Sequence, residues 1–205
     1  MTENLHWLGH ASFYAVSKKG TVVYFDPYQL KAGLPKADLI LITHDHFDHC
    51  SPDDIRKIAK PGTVIVGPAS IAGKAPSTVK VIARGQTMAV ADIGITAVPS
   101  YNTNKEFHPH AAGNVGYVAV IDGVRIYHAG DTDHIPEMGS IQTDVALLPV
   151  GGTYTMTAAE AAKAVAAIKP KVVVPMHYGS VVGSGKDAEE LKRLCQAEVR
   201  ILDRE

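Results

Sequence analysis

The sequence predicts an α/β fold of two sheets packed face to face with helices outside, and three observations predict it. Short β-branched and aromatic runs punctuate the whole 205-residue chain. Two of them, Leu39-Ile40-Leu41-Ile42 and Val172-Val173-Val174, are apolar on both faces and read as central strands covered on both sides. Strands come first as meanders and helical signals follow them in each half, which places the helices outside the sheets.

An alternating run over 5–16 opens the chain and reads as one strand carrying His10. Lys18-Lys19-Gly20 turns it into a strand over 21–25, and the buried strand over 39–43 follows. Ser51 caps a helix over 52–59, with Pro52 at its first position and Asp53 and Asp54 in its first turn. A strand over 63–66, a short helical turn at 69–73 and strands over 79–83 and 93–98 come next. The stretch 99–113, rich in Asn, His and Pro, has no regular pattern, and a loop of that length in a compact domain is more often functional than idle.

Strands over 115–121 and 124–128 flank Asp122-Gly123, the residue pair of a type I′ turn. A strand over 145–149 precedes Thr157-Ala158-Ala159-Glu160, whose capping-box spacing opens an alanine-rich helix to Lys169, ended by Pro170. The chain closes on a strand over 172–176, an amphipathic helix over 187–197 and a strand over 199–202. No linker or charge block divides it, so residues 1–205 read as a single domain.

Composition excludes several classes. With 46% hydrophobic residues the chain can build a continuous core, so it is neither disordered nor fibrous. Twenty Lys plus Arg against 21 Asp plus Glu give a net charge of -1, which argues against a nucleic-acid groove and a polybasic membrane patch. No apolar run approaches the roughly 20 residues of a membrane span. Residues 1–7 lack the pattern of a signal peptide, and Cys50 and Cys195 make neither a disulfide framework nor a Cys-x-x-Cys pair. The expectation is a cytoplasmic protein with a small-molecule substrate and no membrane or nucleic-acid partner; homo-oligomerisation is left open.

Three of the ten histidines fall within six residues, in Thr43-His44-Asp45-His46-Phe47-Asp48-His49. His44 and His46 are two apart, so an extended backbone puts both imidazoles on one side. The turn toward the Ser51-capped helix can aim Asp48 and His49 at the same point. Three His and two Asp in six positions exceed ordinary loop chemistry and point to a metal site at the end of a strand.

His-x-His-x-Asp-His after an apolar strand resembles the signature of the metallo-β-lactamase superfamily. Tyr127-His128-Ala129-Gly130-Asp131-Thr132 resembles its later Gly-Asp-Thr motif, and Pro175-Met176-His177-Tyr178-Gly179 its last ligand motif. Trp7-Leu8-Gly9-His10-Ala11-Ser12, Phe25-Asp26-Pro27, Pro99-Ser100-Tyr101-Asn102 and Phe107-His108-Pro109 are similar to one branch, the small metal-dependent hydrolases like L-ascorbate-6-phosphate lactonase. The resemblance spans residues 5–180 and implies a four-layer αβ/βα sandwich of two mixed sheets.

It also implies a ligand set: His44 and His46 for a first metal, Asp48, His49 and His177 for a second, and Asp131 bridging them. The chain departs from the superfamily where the first metal usually takes a third histidine from a Gly-His motif. Tyr101-Asn102 stands there, with His108 and His110 just beyond. His108 is the preferred third ligand, with Asn102 or water as alternatives. Imidazoles and carboxylates without thiolates suit two divalent transition-metal ions, zinc first, with manganese, iron or nickel as alternatives.

Two such ions about 3.5–4 Å apart need a bridging carboxylate and lower the pKa of a shared water to near neutrality. The expected activity is hydrolysis of a small ester, lactone or phosphodiester by a metal-bound hydroxide. Asp48 is expected to orient the hydroxide and take its proton, and His10 to act at the mouth as substrate contact or proton donor. Asn102 and Tyr178 are the expected substrate contacts. Asp26 reads either as an acceptor behind a metal-bound imidazole or as a strand-ending turn. His128 and His134 flank Asp131 and read as non-ligands, and Cys50 as a buried filler. Two alternatives stand: a nuclease, disfavoured by the missing Arg/Lys stripe, and a di-metal redox module working with a partner.

Overall fold

A computed structural model describes residues 2–205, and these build two sheets in succession. The first has strands β1 (Leu5–Gly9), β2 (Ser12–Val16), β3 (Val22–Phe25), β4 (Leu39–Leu41), β5 (Val64–Gly67) and β6 (Val79–Val81), side by side in chain order. The second holds β7 (Thr87–Val90), β8 (Ile93–Pro99), β9 (Val115–Ile121), β10 (Val124–His128), β11 (Val145–Pro149), β12 (Val172–Met176) and β13 (Glu198–Val199), also in chain order. Each sheet begins antiparallel and turns parallel, at β3 in the first and at β10 in the second. Parallel neighbours need crossovers, and three contain helices: α1 (Pro52–Ile58), α2 (Ala158–Ile168) and α3 (Gly185–Leu194).

The period of a strand explains the layers. Phe13, Val23, Phe25, Leu39 and Leu41 point from the first sheet into one buried cluster with Ile95, Ala97, Tyr117, Ala119 and Ile126 of the second. Their alternates Tyr14, Tyr24, Ile40 and Ile42 point outward and pack with Ile55 and Ile58 of α1. This is why the run 39–42 is apolar on both faces. In the second sheet β11 and β12 are buried throughout and carry the core on to Ala161, Val165 and Ile168 of α2 and Leu191 of α3. The result is helix, mixed sheet, mixed sheet, helix.

The local signals form as their chemistry requires. Ser51 and Thr157 accept from the backbone N–H three residues on, and Glu160 returns a bond to Thr157. Asp122 and Gly123 both have positive φ, 51° and 79°, as a type I′ turn demands. Helix α3 starts earlier than the sequence suggests because Ser184 and Asp187 make its capping box. The closing strand is shorter than expected, Glu198–Val199, since the chain then leaves the sheet to lay Arg204 beside Trp7.

Two expectations are corrected. The run 5–16 is not one strand: Gly9 at φ +103° and His10 at φ +52° fold it into the β1–β2 hairpin. Alternation cannot show such a break, because both arms are almost wholly buried. Strand β7 was not legible at all, being an edge strand exposed at Thr87 and Ala89. Among the described residues no helix is long and apolar enough to cross a membrane.

Strands β1, β3, β4, β8, β10 and β12 all end at one edge of the sandwich. Ligands of open α/β sheets gather at such carboxyl ends.

Candidate metal centre

The site is assembled from these strand ends. The β1–β2 turn brings His10; the segments after β3 and β4 bring Asp26, His44, His46, Asp48 and His49. The loop after β8 brings Asn102 and His108, and the ends of β10 and β12 bring Asp131 and His177.

Asp26 organises the densest segment. Its carboxylate, fully buried, accepts from Thr43 N at 2.8 Å, from Thr43 Oγ1 at 2.7 Å and from His49 Nδ1 at 2.7 Å. One side chain thus fixes both ends of the histidine motif, and it points His49 Nε2 into the site. Having given its proton to Asp26, the Thr43 hydroxyl accepts from His44 Nδ1 at 2.9 Å and leaves the His44 Nε2 lone pair bare. Backbone bonds from His49 and Cys50 to the His46 carbonyl close the turn that returns Asp48 and His49 toward His44.

Asp131, 2% exposed, stands at the centre. Its Oδ2 lies 3.0 Å from His177 Nε2 and 3.4 Å from His108 Nε2, and its Oδ1 lies 3.2 Å from His49 Nε2. Burial alone would raise its pKa, but His177 and His49 hold it well below the usual carboxylate range. Burial would likewise lower His49, which Asp131 and Asp26 on either side raise well above the usual imidazole range. His44 is lowered, by burial first and then by the charge of His49.

The donor atoms fall into three overlapping groups: His44, His46 and His108; His10, Asp48, His49 and His177; and His44, His49 and Asp131. Within each group they lie within 4.8 Å of one another. His44 Nε2 is fully buried without a hydrogen-bond partner, and His49 Nε2 and His177 Nε2, equally buried, face the Asp131 carboxylate at 3.2 and 3.0 Å. A buried nitrogen left bare costs about 1–3 kcal/mol, and imidazole and carboxylate donors packed this closely around it mark a place built to hold a ligand. Among the described residues no Lys or Arg lines the cleft above, so Asp48 and Asp131 have only imidazoles to balance them. A divalent cation fits both facts, and the nitrogen and oxygen donors are those zinc and its neighbours take.

Of the three alternatives in the long loop, the structure brings His108 to the cluster, its Nε2 3.0 Å from His46 Nδ1. His110 is exposed and rests edge-on against Tyr101. Asn102, expected as substrate contact or ligand, braces the loop through its Nδ2 and its backbone, while its Oδ1 is buried without a partner. Its Nδ2 donates to the carbonyls of Phe107 and Tyr154, each at 2.8 Å, and its backbone N–H to the His108 carbonyl at 2.8 Å. Asp133 anchors the same loop, accepting from Thr103 N at 2.7 Å and pairing with Lys105.

His10 is also relocated. Only 2% exposed, it lies beneath the centre and not at the mouth, with Nε2 3.0 Å from Asp48 Oδ2. Burial lowers its pKa to about 4, so it is neutral, and a carboxylate partner assigns its proton to Nε2. Burial would raise Asp48, but the bond from His10 and the charge of His49 bring it to about 2. Tyr178, expected to touch substrate, packs in the core against Trp7 with ring centroids 4.9 Å apart. His128 points away, with Nε2 bonded to the Ala11 carbonyl at 2.8 Å. Cys50 is buried, its thiol pushed up to about 11 by burial first and the charge of Asp26 second.

Above the donors opens a cleft of about 430 Å³, lined below by His46, Asp48, His108, Asp131 and His177. Its upper wall is apolar: Phe47, Phe107, Tyr154 and Val181. Sequence reasoning missed all four. Only Phe47, an aromatic between two donors, carried any signal.

The beta-lactamase superfamily domain matches residues 4–177 of the chain. Over 216 residues the chain is 38% identical to a UPF0173 metal-dependent hydrolase of Thermococcus kodakarensis, covering 96% of this chain and 94% of that one. The fold is similar to a crystal structure from Parabacteroides distasonis, with TM-score 0.85, 35% identity and 97% and 93% of the two chains covered. It is also similar to Igni18, a metallo hydrolase from the archaeon Ignicoccus hospitalis, with TM-score 0.79, 27% identity and 98% and 94% covered. With the match running through every strand end that supplies a donor, the chain belongs to the metallo-β-lactamase superfamily, in its UPF0173 family of metal-dependent hydrolases.

Proposed function

We propose that this hydrolase cleaves a small ester, lactone or phosphodiester, in the manner of the branch similar to L-ascorbate-6-phosphate lactonase. His44, His46 and His108 would hold one divalent ion, zinc first, and Asp48, His49 and His177 a second, with Asp131 between them. The observation that carries this reading is the convergence of buried histidine and aspartate donor atoms, the bare His44 Nε2 among them, in three overlapping groups within 4.8 Å beneath an open cleft. Bound there, the ions would supply Lewis acidity at the oxygen under attack and a water acid enough to lose its proton near pH 7.

The chain's own residues do the rest. Asp48 lines the cleft as a carboxylate and is the proton acceptor. His10 acts through Asp48 as a positioning residue, since its Nε2–H fixes Asp48 Oδ2. Asp26 and Thr43 set the ring orientations of His49 and His44. A cleft of about 430 Å³ suits a small molecule. The free thiols of Cys50 and Cys195 suit the reducing cytoplasm.

Elemental analysis together with a panel of ester, lactone, thioester and phosphodiester substrates tests this. Protein purified without chelator should hold about two transition-metal ions per chain, and turnover should vanish on their removal and return on reconstitution. No metal after reconstitution, or no turnover on any class, overturns the reading.

A further inference from the structure

We propose that the substrate carries an uncharged apolar group beside its scissile bond, as an aliphatic or aryl carboxylic ester or lactone does, seated on Phe47, Phe107, Tyr154 and Val181. This rests on the hydrolase reading above and narrows it.

Six large hydrophobic side chains are exposed among the described residues, and three of them, Phe47 at 65%, Phe107 at 47% and Val181 at 38%, rim this one cleft. They come from three separate segments, after β4, after β8 and after β12, so no local pattern groups them. Exposed apolar surface forfeits about 25 cal/mol per Å², and clustered exposure of this kind marks a binding surface. The rings are also held in place. Phe107 meets Tyr154 edge-on at 5.0 Å between centroids, and Phe47 meets Tyr28 edge-on at 5.8 Å. The wall is therefore preorganised to receive a ligand.

Charge points the same way. No Lys or Arg is among the residues that line the cleft, while Asp45 is. Lys74 is the ion-pair partner of Asp45, and Lys105 is tied to buried Asp133. The metal ions would take a phosphoryl or a carbonyl oxygen alike, but beyond them a phosphate group would meet no side-chain cation and would face a carboxylate. A neutral carbonyl compound meets neither obstacle. Hydrolysis then consumes one water: its oxygen bonds to the carbonyl carbon, the carbon–oxygen bond to the alcohol breaks, and a proton of that water passes by way of Asp48 to the leaving oxygen. The products are a carboxylic acid and an alcohol.

The test uses zinc-reconstituted full-length protein and the 4-nitrophenyl esters of acetate, butyrate and hexanoate beside bis(4-nitrophenyl) phosphate. We expect kcat/KM to rise at least about tenfold from acetate to hexanoate, as burial of added methylenes implies, and the phosphodiester to be the poorest substrate. Phe47→Ser and Phe107→Ser should each flatten the chain-length dependence, whereas Val120→Ser, an exposed apolar change on β9, should not. Calorimetry with hexanohydroxamate, acetohydroxamate and inorganic phosphate gives a readout independent of turnover, with the same order of preference expected. Ester hydrolysis with flat chain-length dependence, or faster cleavage of the phosphodiester, overturns the proposal and leaves the hydrolase reading intact. A hexanohydroxamate preference lost in both Phe variants supports the apolar seat even without turnover of these four substrates, since the hydrolase reading falls only with the wider panel of esters, lactones, thioesters and phosphodiesters. Equal binding of both hydroxamates overturns the apolar seat.

Discussion

Asp26 and His49 lie 23 positions apart in the chain, yet the Asp26 carboxylate accepts from His49 Nδ1 at 2.7 Å while also holding Thr43 through its amide and its hydroxyl. This carboxylate touches nothing in the cleft. Through it, the end of β3 sets which nitrogen each of two histidines turns toward the site.

Asp26→Asn keeps the size but replaces an acceptor-only group by one that also donates, so at most two of its three bonds survive. Metal affinity should fall about 10–100-fold, read by competition with a chromogenic chelator. An affinity within twofold of the parent would show that Asp26 serves the turn alone.

The two loop histidines should behave differently. His108→Ala removes a ring 3.0 Å from His46 and 3.4 Å from Asp131, whereas His110→Ala removes an exposed ring resting on Tyr101. Metal occupancy and turnover should drop sharply in the first and stay near the parent in the second. The reverse order would assign the first site to a different residue.

Gly9 has two reasons to be glycine. Its φ of +103° disfavours any side chain, and an added Cβ would lie 2.6 Å from Arg204 Nε, whose group donates to the Leu8 carbonyl at 2.9 Å. Gly9→Ala should cost at least about 1–2 kcal/mol in urea unfolding. Because the displaced group is a flexible side chain, Arg204→Ala in the same chain should relieve the clash but not the backbone strain. A double-mutant cycle measures the difference, and strict additivity would mean the guanidinium is no obstacle.

Asp144 provides a pH signature far from the metal centre. It accepts from Arg125 N at 3.0 Å and pairs with Lys171 at 2.9 Å; these contacts, the backbone bond first, bring its pKa to about 2. The folded value lies below the unfolded one, so the stabilisation is complete above about pH 4 and is lost as pH falls toward 2. Asp144→Asn should cost about 1–2 kcal/mol at pH 7, and the gap from the parent should close with acid. A gap that does not change between pH 7 and pH 3 would place the effect in packing.

The sequence by itself determined the central strands, the capped helices, the Asp122-Gly123 hairpin and the donor cluster at 44–49. In each case the deciding interaction is local: apolar alternation along a strand, a cap reaching its own helix, two histidines two residues apart on extended backbone. Tertiary structure alone places His108, and not His110, beside His46 and Asp131, because the loop is set by Asn102 reaching Tyr154 and by Asp133 gripping Thr103 and Lys105. It also decided that His10 lies beneath the site and not at its mouth, since the Gly9 turn depends on the space left under Arg204. And it turned Tyr178 onto Trp7 while bringing Phe47, Phe107, Tyr154 and Val181 to one wall. These contacts join residues distant in the chain, and their energies depend on which segments the packing of two sheets brings together, a quantity that spacing along one strand or loop does not contain.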